Sequence, residues 1–333
     1  MNRLFYPRLL QPKDKVALTA PSSPVPPENL QAAQSSIRYL GLEPVTMPSC
    51  TMTHGYMAGP DARRAEDLNR AFADKEIKGI FCLRGGFGVT RILPLLDFDL
   101  IRQNPKVLVG YSDITALHTA ISNLCGFVTF HGPMPNTDYR RLDSFTLNSL
   151  KESVFSRENS AAPSAAVIQN PPEEPMEVLQ PGCATGPLTG GNLSLLAATL
   201  GSPYEVDTRG KLLFLEDVGE RPYRLDKALT ALSLAGKFRD CSGILLGTFT
   251  ECEEPASDHV PAGTVIAQKA LTLREIFQEV LLPWKKPTLM NLRAGHVYPQ
   301  CTLPMGASVA MDAAEAPAGS LGGRTGNDYL KFM

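Results

Sequence analysis

The chain is predicted to be an α/β protein, with a parallel sheet in its first half followed by a smaller β-rich domain. Three observations predict this. Three apolar runs in the first half end in small residues: KVALTAPSSP (15–24), IKGIFCLRGGFG (77–88) and KVLVGYSD (106–113). Each is followed by helical periodicity, in ENLQAAQSSIRYLG (28–41), VTRILPLL (89–96) and ITALHTAISNLCG (114–126). Past residue 156 the composition shifts to Pro, Ala, Ser and Glu, and shorter strand-like pieces then alternate with fewer helices.

Nearly continuous apolar strands alternating with helices indicate a sheet buried on both faces, which is the parallel arrangement. Ligands bind such sheets outside the carboxyl ends of the strands, so the three turns after the three runs are expected to share one rim. Residues 156–182 read as a crossing segment. The second half then resumes with TGGNLSLLAATLG (189–201), the run KLLFLEDVGE (211–220), the helical YRLDKALTALSLAG (223–236) and the strand-like GILLGTF (243–249). A polar stretch at 251–263 reads as an exposed loop, and the tail SLGGRTGNDYLKFM (320–333) as surface. The expected division is an N-terminal α/β domain over 1–160, a linker over 161–182 and a C-terminal β-rich domain over 183–333.

Composition narrows the function. A length of 333 residues suits two domains, and 43% hydrophobic residues can fill their cores. The net charge of −2 offers no basic excess for phosphates, so nucleic acid is not an expected partner. Seven scattered cysteines without a C-x-x-C pair favour neither a disulfide framework nor a zinc site. The N-terminal MNRLFYPRLLQPKDK has no signal-like apolar core, and no later run reaches the ~18 apolar residues of a membrane span. The expectation is a cytoplasmic protein with no membrane partner, no metal and no cofactor.

The serine in Gly110-Tyr111-Ser112-Asp113-Ile114 sits where a strand turns into a helix. A nucleophile there projects from the sheet beside free backbone N–H groups and the positive end of the helix. Those are the features a tetrahedral oxyanion needs. The hydrolase elbow G-x-S-x-G is only half matched, since Ile114 replaces the second glycine, and serine is also a good helix N-cap. The pattern alone leaves nucleophile and cap both open.

A serine nucleophile needs a base and a group to orient it. His118 lies six residues along the same helix, about 600° of rotation, and points away from Ser112. His259 falls in the polar loop, His54 and His131 in turns near the rim, and His296 directly follows a glycine in LRAGHVYPQCTLPMG (292–306). Glu216 closes the apolar run KLLFLE, where a strand-end carboxylate can take a histidine Nδ1–H or simply be solvated. The turn Arg84-Gly85-Gly86-Phe87-Gly88 fails the G-x-G-x-x-G test because Arg91 stands at the third glycine, and the chain holds no P-loop. Its backbone N–H groups suit a second oxyanion donor. Arg84 can take a substrate carboxylate or pair with a structural acid.

Together these segments resemble the LD-carboxypeptidase family of serine peptidases, which includes muramoyltetrapeptide carboxypeptidases and microcin C self-immunity hydrolases. The resemblance rests on APSSPV, RGGFG, GYSDIT, HGPM, TGGNLSLL, LEDVGERPYRLDKAL and GHVYPQCTLPMG, in order over most of the chain. It implies a flavodoxin-like N-terminal domain, a small β-rich C-terminal domain, no metal, and a homodimer. It also implies Ser112 as nucleophile, Glu216 as triad acid, His296 as base, and an oxyanion hole from Asp113 and Gly86. Arg84 and Gly85 are expected at the substrate. The chain departs from the family at 297–301 and in the length of the loop at 251–263, both expected to line the cleft. The implied reaction is release of the terminal D-Ala from cytoplasmic murein tetrapeptide during peptidoglycan recycling. Two other readings stay open. One is the same triad acting on a microcin C-like peptidyl nucleotide, which would favour a stacking aromatic, although Trp284 is expected to pack at a helix end. The other is a non-catalytic module that binds murein fragments.

Overall fold

A computed structural model of the chain describes residues 4–156, 167–253, 271–313 and 329–333. The strands, in chain order, are β1 (Lys15–Thr19), β2 (Glu43–Thr46), β3 (Ile77–Cys82), β4 (Val107–Gly110), β5 (Thr129–His131), β6 (Val167–Ile168) and β7 (Glu177–Gln180). They continue with β8 (Cys183–Asn192), β9 (Leu212–Val218), β10 (Gly243–Thr250), β11 (Thr288–Met290), β12 (Leu303–Met305), β13 (Ser308–Asp312) and β14 (Leu330–Phe332).

The first sheet is six-stranded in the order β12-β5-β4-β3-β1-β2. Its first five strands in sequence run parallel, in the flavodoxin-like order 2-1-3-4-5. The three runs seen in the sequence are β1, β3 and β4. Val107–Gly110 is buried throughout, as a central parallel strand requires. The expected helices form at Pro27–Tyr39, Val89–Ile92 and Thr115–Leu124. A further helix, Asp61–Ala73, buries Ala65, Leu68, Ala71 and Phe72 at helical spacing.

The second half is β-rich, with an eight-stranded sheet in the order β6-β14-β13-β8-β9-β10-β11-β7. Its centre, β8 to β11, is parallel. Along β9 the side chains alternate between two cores. Leu212 and Phe214 face one that includes Leu303 and Met311, while Leu213 and Leu215 face one built with the helix Pro222–Leu234.

Three details differ from the linear reading of the chain. The segment read as a linker supplies β6 and β7 to the second sheet, so part of 161–182 is structural. The tail read as surface ends in β14, which pairs with β13 and buries Leu330; the tail's residues 320–328 lie outside the described residues. β12, far along the second half, pairs antiparallel with β5 and completes the first sheet. The two halves are thus knit together at the strand that follows GHVYPQC. The polar loop at 251–263, with His259, lies outside the described residues from 254 onward.

Candidate active site

The turns after β1, β3 and β4 do meet on one rim. Ser22 Oγ donates to Asp113 Oδ2 at 2.6 Å, and the backbone N–H of Val89 reaches the same oxygen at 3.0 Å. The buried Asp113 carboxylate therefore ties the serine turn to both neighbouring turns. Burial holds that carboxyl above its ordinary value, opposed by the Ser22 and Val89 hydrogen bonds. Ser23 accepts the N–H of Phe87 at 3.3 Å and donates its own N–H to Gly85 at 3.4 Å. The sequence pointed to the N–H of Asp113; the structural use of its side chain had no local signal.

Ser112 has φ 66°, in the left-handed region that an L-residue enters at a cost of about 1–3 kcal/mol. A helix N-cap takes extended backbone, and the short 3₁₀ turn Ser112–Ile114 has no side-chain cap. The geometry therefore rules out the cap reading. The buried Ile114 folds back over Gly110, whose Cβ would lie 2.8 Å from Ile114 Cγ1.

Gly85 lies directly against the serine, since a Cβ there would stand 2.7 Å from Ser112 Oγ. Gly86 has φ 115° and packs on Ser23. The Nη1 of Arg84 donates to the Pro24 carbonyl at 3.3 Å, and among the described residues no acid pairs with it.

His296 and Glu216 come together from distant parts of the chain. Nδ1 of His296 and Oε2 of Glu216 are 2.8 Å apart. Glu216 sits at the inner end of β9 with 0% exposure, while the His296 side chain keeps 18%. Burial pushes the Glu216 carboxyl up, and the hydrogen bond and charge of His296 oppose it. Thr250 Oγ1 donates to the His296 carbonyl at 2.8 Å, fixing its backbone to β10. Gly295 is needed where it stands: its φ is 109°, and a Cβ would lie 2.6 Å from Glu216 Oε2.

The His296 ring packs edge-on against Tyr111, beside Ser112, with centroids 4.8 Å apart. No hydrogen bond joins Ser112 Oγ to His296 among the described residues; hydrogen bonds of this kind are often long before substrate closes the site. The serine helix is also anchored to the second sheet. Thr115 Oγ1 accepts the N–H of Asn192 at 3.0 Å, and Gly191 leaves room for that approach. Asn192 in turn donates to Asp217 at 2.9 Å. This is the structural use of the TGGN block and of the second acid in LED.

The remaining histidines separate clearly. His118 is buried, with Nε2 at 2.9 Å from the Gly110 carbonyl and Nδ1 at 2.8 Å from Thr129 Oγ1, and burial lowers it to about 4. His131 is fully buried and held well below its ordinary value by burial. His54 is exposed in its own turn. Of the histidines among the described residues, only His296 has a carboxylate partner.

A serine turn beside a glycine turn, faced by a His–Glu pair, is an arrangement suited to acyl transfer. Comparison with known proteins agrees. A model of the LD-carboxypeptidase N-terminal domain matches residues 16–132, and one of the C-terminal domain matches residues 185–311. The chain belongs to the LD-carboxypeptidase family. Its class of activity follows with the family, that of a serine carboxypeptidase. A probable murein peptide carboxypeptidase from Bacillus subtilis is 40% identical over 314 residues, covering 94% of this chain and 93% of that one. The structure of a muramoyltetrapeptide carboxypeptidase from Oxalobacter formigenes superposes with a TM-score of 0.75 at 26% identity, covering 96% of this chain and 98% of its own. An MccF-like protein from Bacillus anthracis gives 0.79 at 25% identity, over 93% and 97%. Among the described residues no helix is long and apolar enough to cross a membrane, and no His, Cys, Asp and Glu cluster could hold a metal ion.

Proposed function

We propose that this LD-carboxypeptidase hydrolyses the bond between an L-centre and the terminal D-Ala of murein tetrapeptide. The observation that carries the reading is the His296–Glu216 pair packed against the residue beside a serine of left-handed backbone. Ser112 Oγ attacks the scissile carbonyl. Nε2 of His296, free because Nδ1 is engaged by Glu216, takes the serine proton and passes it to the leaving amine. Glu216 holds the tautomer and stabilises the imidazolium. The N–H groups of Asp113 and Gly86 receive the oxyanion, each donor of this kind contributing about 10²–10³ in rate. Arg84, free of acidic partners among the described residues and next to Gly85, takes the terminal carboxylate of the D-residue. Water then attacks the acyl-enzyme with His296 as base.

The work is set in the cytoplasm, in recycling of wall peptides, by a homodimer. The names of the relatives support the murein substrate. The microcin-type alternative calls for a stacking aromatic, and Trp284, partly buried, instead packs against the second-half core after the helix Leu273–Leu281. Mass spectrometry of products from tri-, tetra- and pentapeptide muropeptides, with a peptidyl nucleotide in parallel, tests the assignment. Loss of one D-Ala from the tetrapeptide only is expected. Turnover of the nucleotide alone would favour the microcin reading, and binding without turnover of any substrate the non-catalytic one. Sedimentation of the purified protein tests the dimer.

A further inference from the structure

One hydrogen bond, donated to Glu216, fixes the position of His296 Nδ1, but it leaves the imidazole free to swing about that contact. Nε2 can meet Ser112 only over part of the swing, so something else must hold the ring. The group against the ring is Tyr111. Its ring meets His296 at 4.8 Å and 64°, and meets His131 at 5.8 Å. His131 is fully buried, and neither of its ring nitrogens has a hydrogen-bond partner among the described residues. It packs edge-on against Phe214 at 5.2 Å. Phe214 precedes Glu216 by two positions and so faces the same side of β9. Tyr111 therefore stands between His296 and a wall anchored in the strand that also carries the acid.

The segment that carries His296 is tied to the first half as well. The hydroxyl of Tyr298, two residues beyond His296, donates to Thr137 Oγ1 at 3.4 Å. Tyr111 and Thr137 belong to the first half of the chain, and His296 and Tyr298 to the second. Tyr111, covalently next to Ser112, touches the ring of His296, while Tyr298 ties the segment that carries that ring to Thr137.

We infer that Tyr111 is a positioning residue: its ring fixes the swing of His296 toward Ser112. The inference rests on the assignment of Ser112 and His296 proposed above. The ring contact carries the catalytic effect. Misplacing a reacting group by about 1 Å costs on the order of 10²-fold in rate.

The test compares Tyr111→Leu and Tyr111→Phe with the wild type. The readouts are kcat and KM on murein tetrapeptide, the rate at which a fluorophosphonate probe labels Ser112, and the thermal midpoint. Tyr111→Leu is expected to lower kcat and the labelling rate by about 10²-fold with KM little changed. Tyr111→Phe keeps the ring and is expected to retain most of both rates. Wild-type rates in Tyr111→Leu would overturn the inference. So would equal rate losses in both variants, or a rise in KM with kcat intact. A wild type that is labelled at Ser112 but leaves the tetrapeptide whole would overturn the substrate reading alone, and the labelling rates would still decide the role of Tyr111. A wild type that is not labelled at Ser112 would overturn both.

Discussion

Replacing Gly85 by alanine puts one methyl group against Ser112, the proposed nucleophile. The new Cβ would stand 2.7 Å from both Cβ and Oγ of Ser112, and 3.4 Å from the Asp113 nitrogen. Non-bonded carbons rest about 3.5–4.0 Å apart, so relief requires a shift of roughly 1 Å. The turn has few ways to yield. Asp113 is pinned by Ser22 and Val89, Gly85 accepts from Ser23, and Ser112 already occupies a left-handed conformation. The displacement falls on the serine side chain. A shift of about 1 Å at a reacting atom costs on the order of 10²-fold, and overpacking of this kind destabilises by about 1–3 kcal/mol. The expected result is a fall in kcat of about 10²-fold with a lowered thermal midpoint, read by D-Ala release and by calorimetry. Wild-type kcat/KM and midpoint would refute the reasoning. A lowered midpoint with full activity would show the strain absorbed by the scaffold without moving Ser112.

Three other outcomes follow from the same geometry. Glu216→Gln keeps the volume but removes the charge that holds His296, and kcat should fall by about 10⁴ with KM nearly unchanged, measured on the tetrapeptide. Arg84→Ala should raise KM about 10–100-fold, as expected for one charge-assisted hydrogen bond, and should not affect a substrate amidated at its C-terminus. His118, lowered by burial to about 4 from its ordinary 6.5, stays neutral in the fold while the unfolded chain binds a proton below about 6.5. Its contribution to stability is therefore present above that pH, is lost as pH falls from 6.5 toward 4, and levels off below. The stability difference between wild type and His118→Gln, from urea titrations across this range, should shrink with falling pH; a constant difference would contradict the assignment.

Much of the fold was legible because its strongest signals are local. The runs around Val16, Ile80 and Leu108 are apolar throughout and each is followed by a helix, which specifies parallel strands and a shared rim. The elements missed are those whose pairing is distant. Val167–Ile168 and Leu303–Met305 are too short to show periodicity, and β12 becomes a strand only because β5 offers an edge after the chain has crossed between halves. Leu330–Phe332 is likewise short, and only its pairing with β13 makes it a strand.

The site divides in the same way. Ser112 could be singled out from its place at a strand-to-helix turn, but local pattern could not tell a cap from a nucleophile. The angle that excludes the cap, the left-handed φ of Ser112, is not written in the local pattern. The pairing of His296 with Glu216 was legible only through the resemblance, since the two stand 80 positions apart. The roles of Gly295 and of the Asp113 carboxylate depend on which atoms the fold brings within 3 Å, and no spacing rule carries that information.

The role of Ser112 is tested by turnover of murein tetrapeptide by Ser112→Ala, measured against the wild type at equal folded concentration. With Ser112 as the nucleophile, D-Ala release falls by up to about 10⁶-fold while the tetrapeptide is still bound. Release at the wild-type rate by Ser112→Ala would contradict that role.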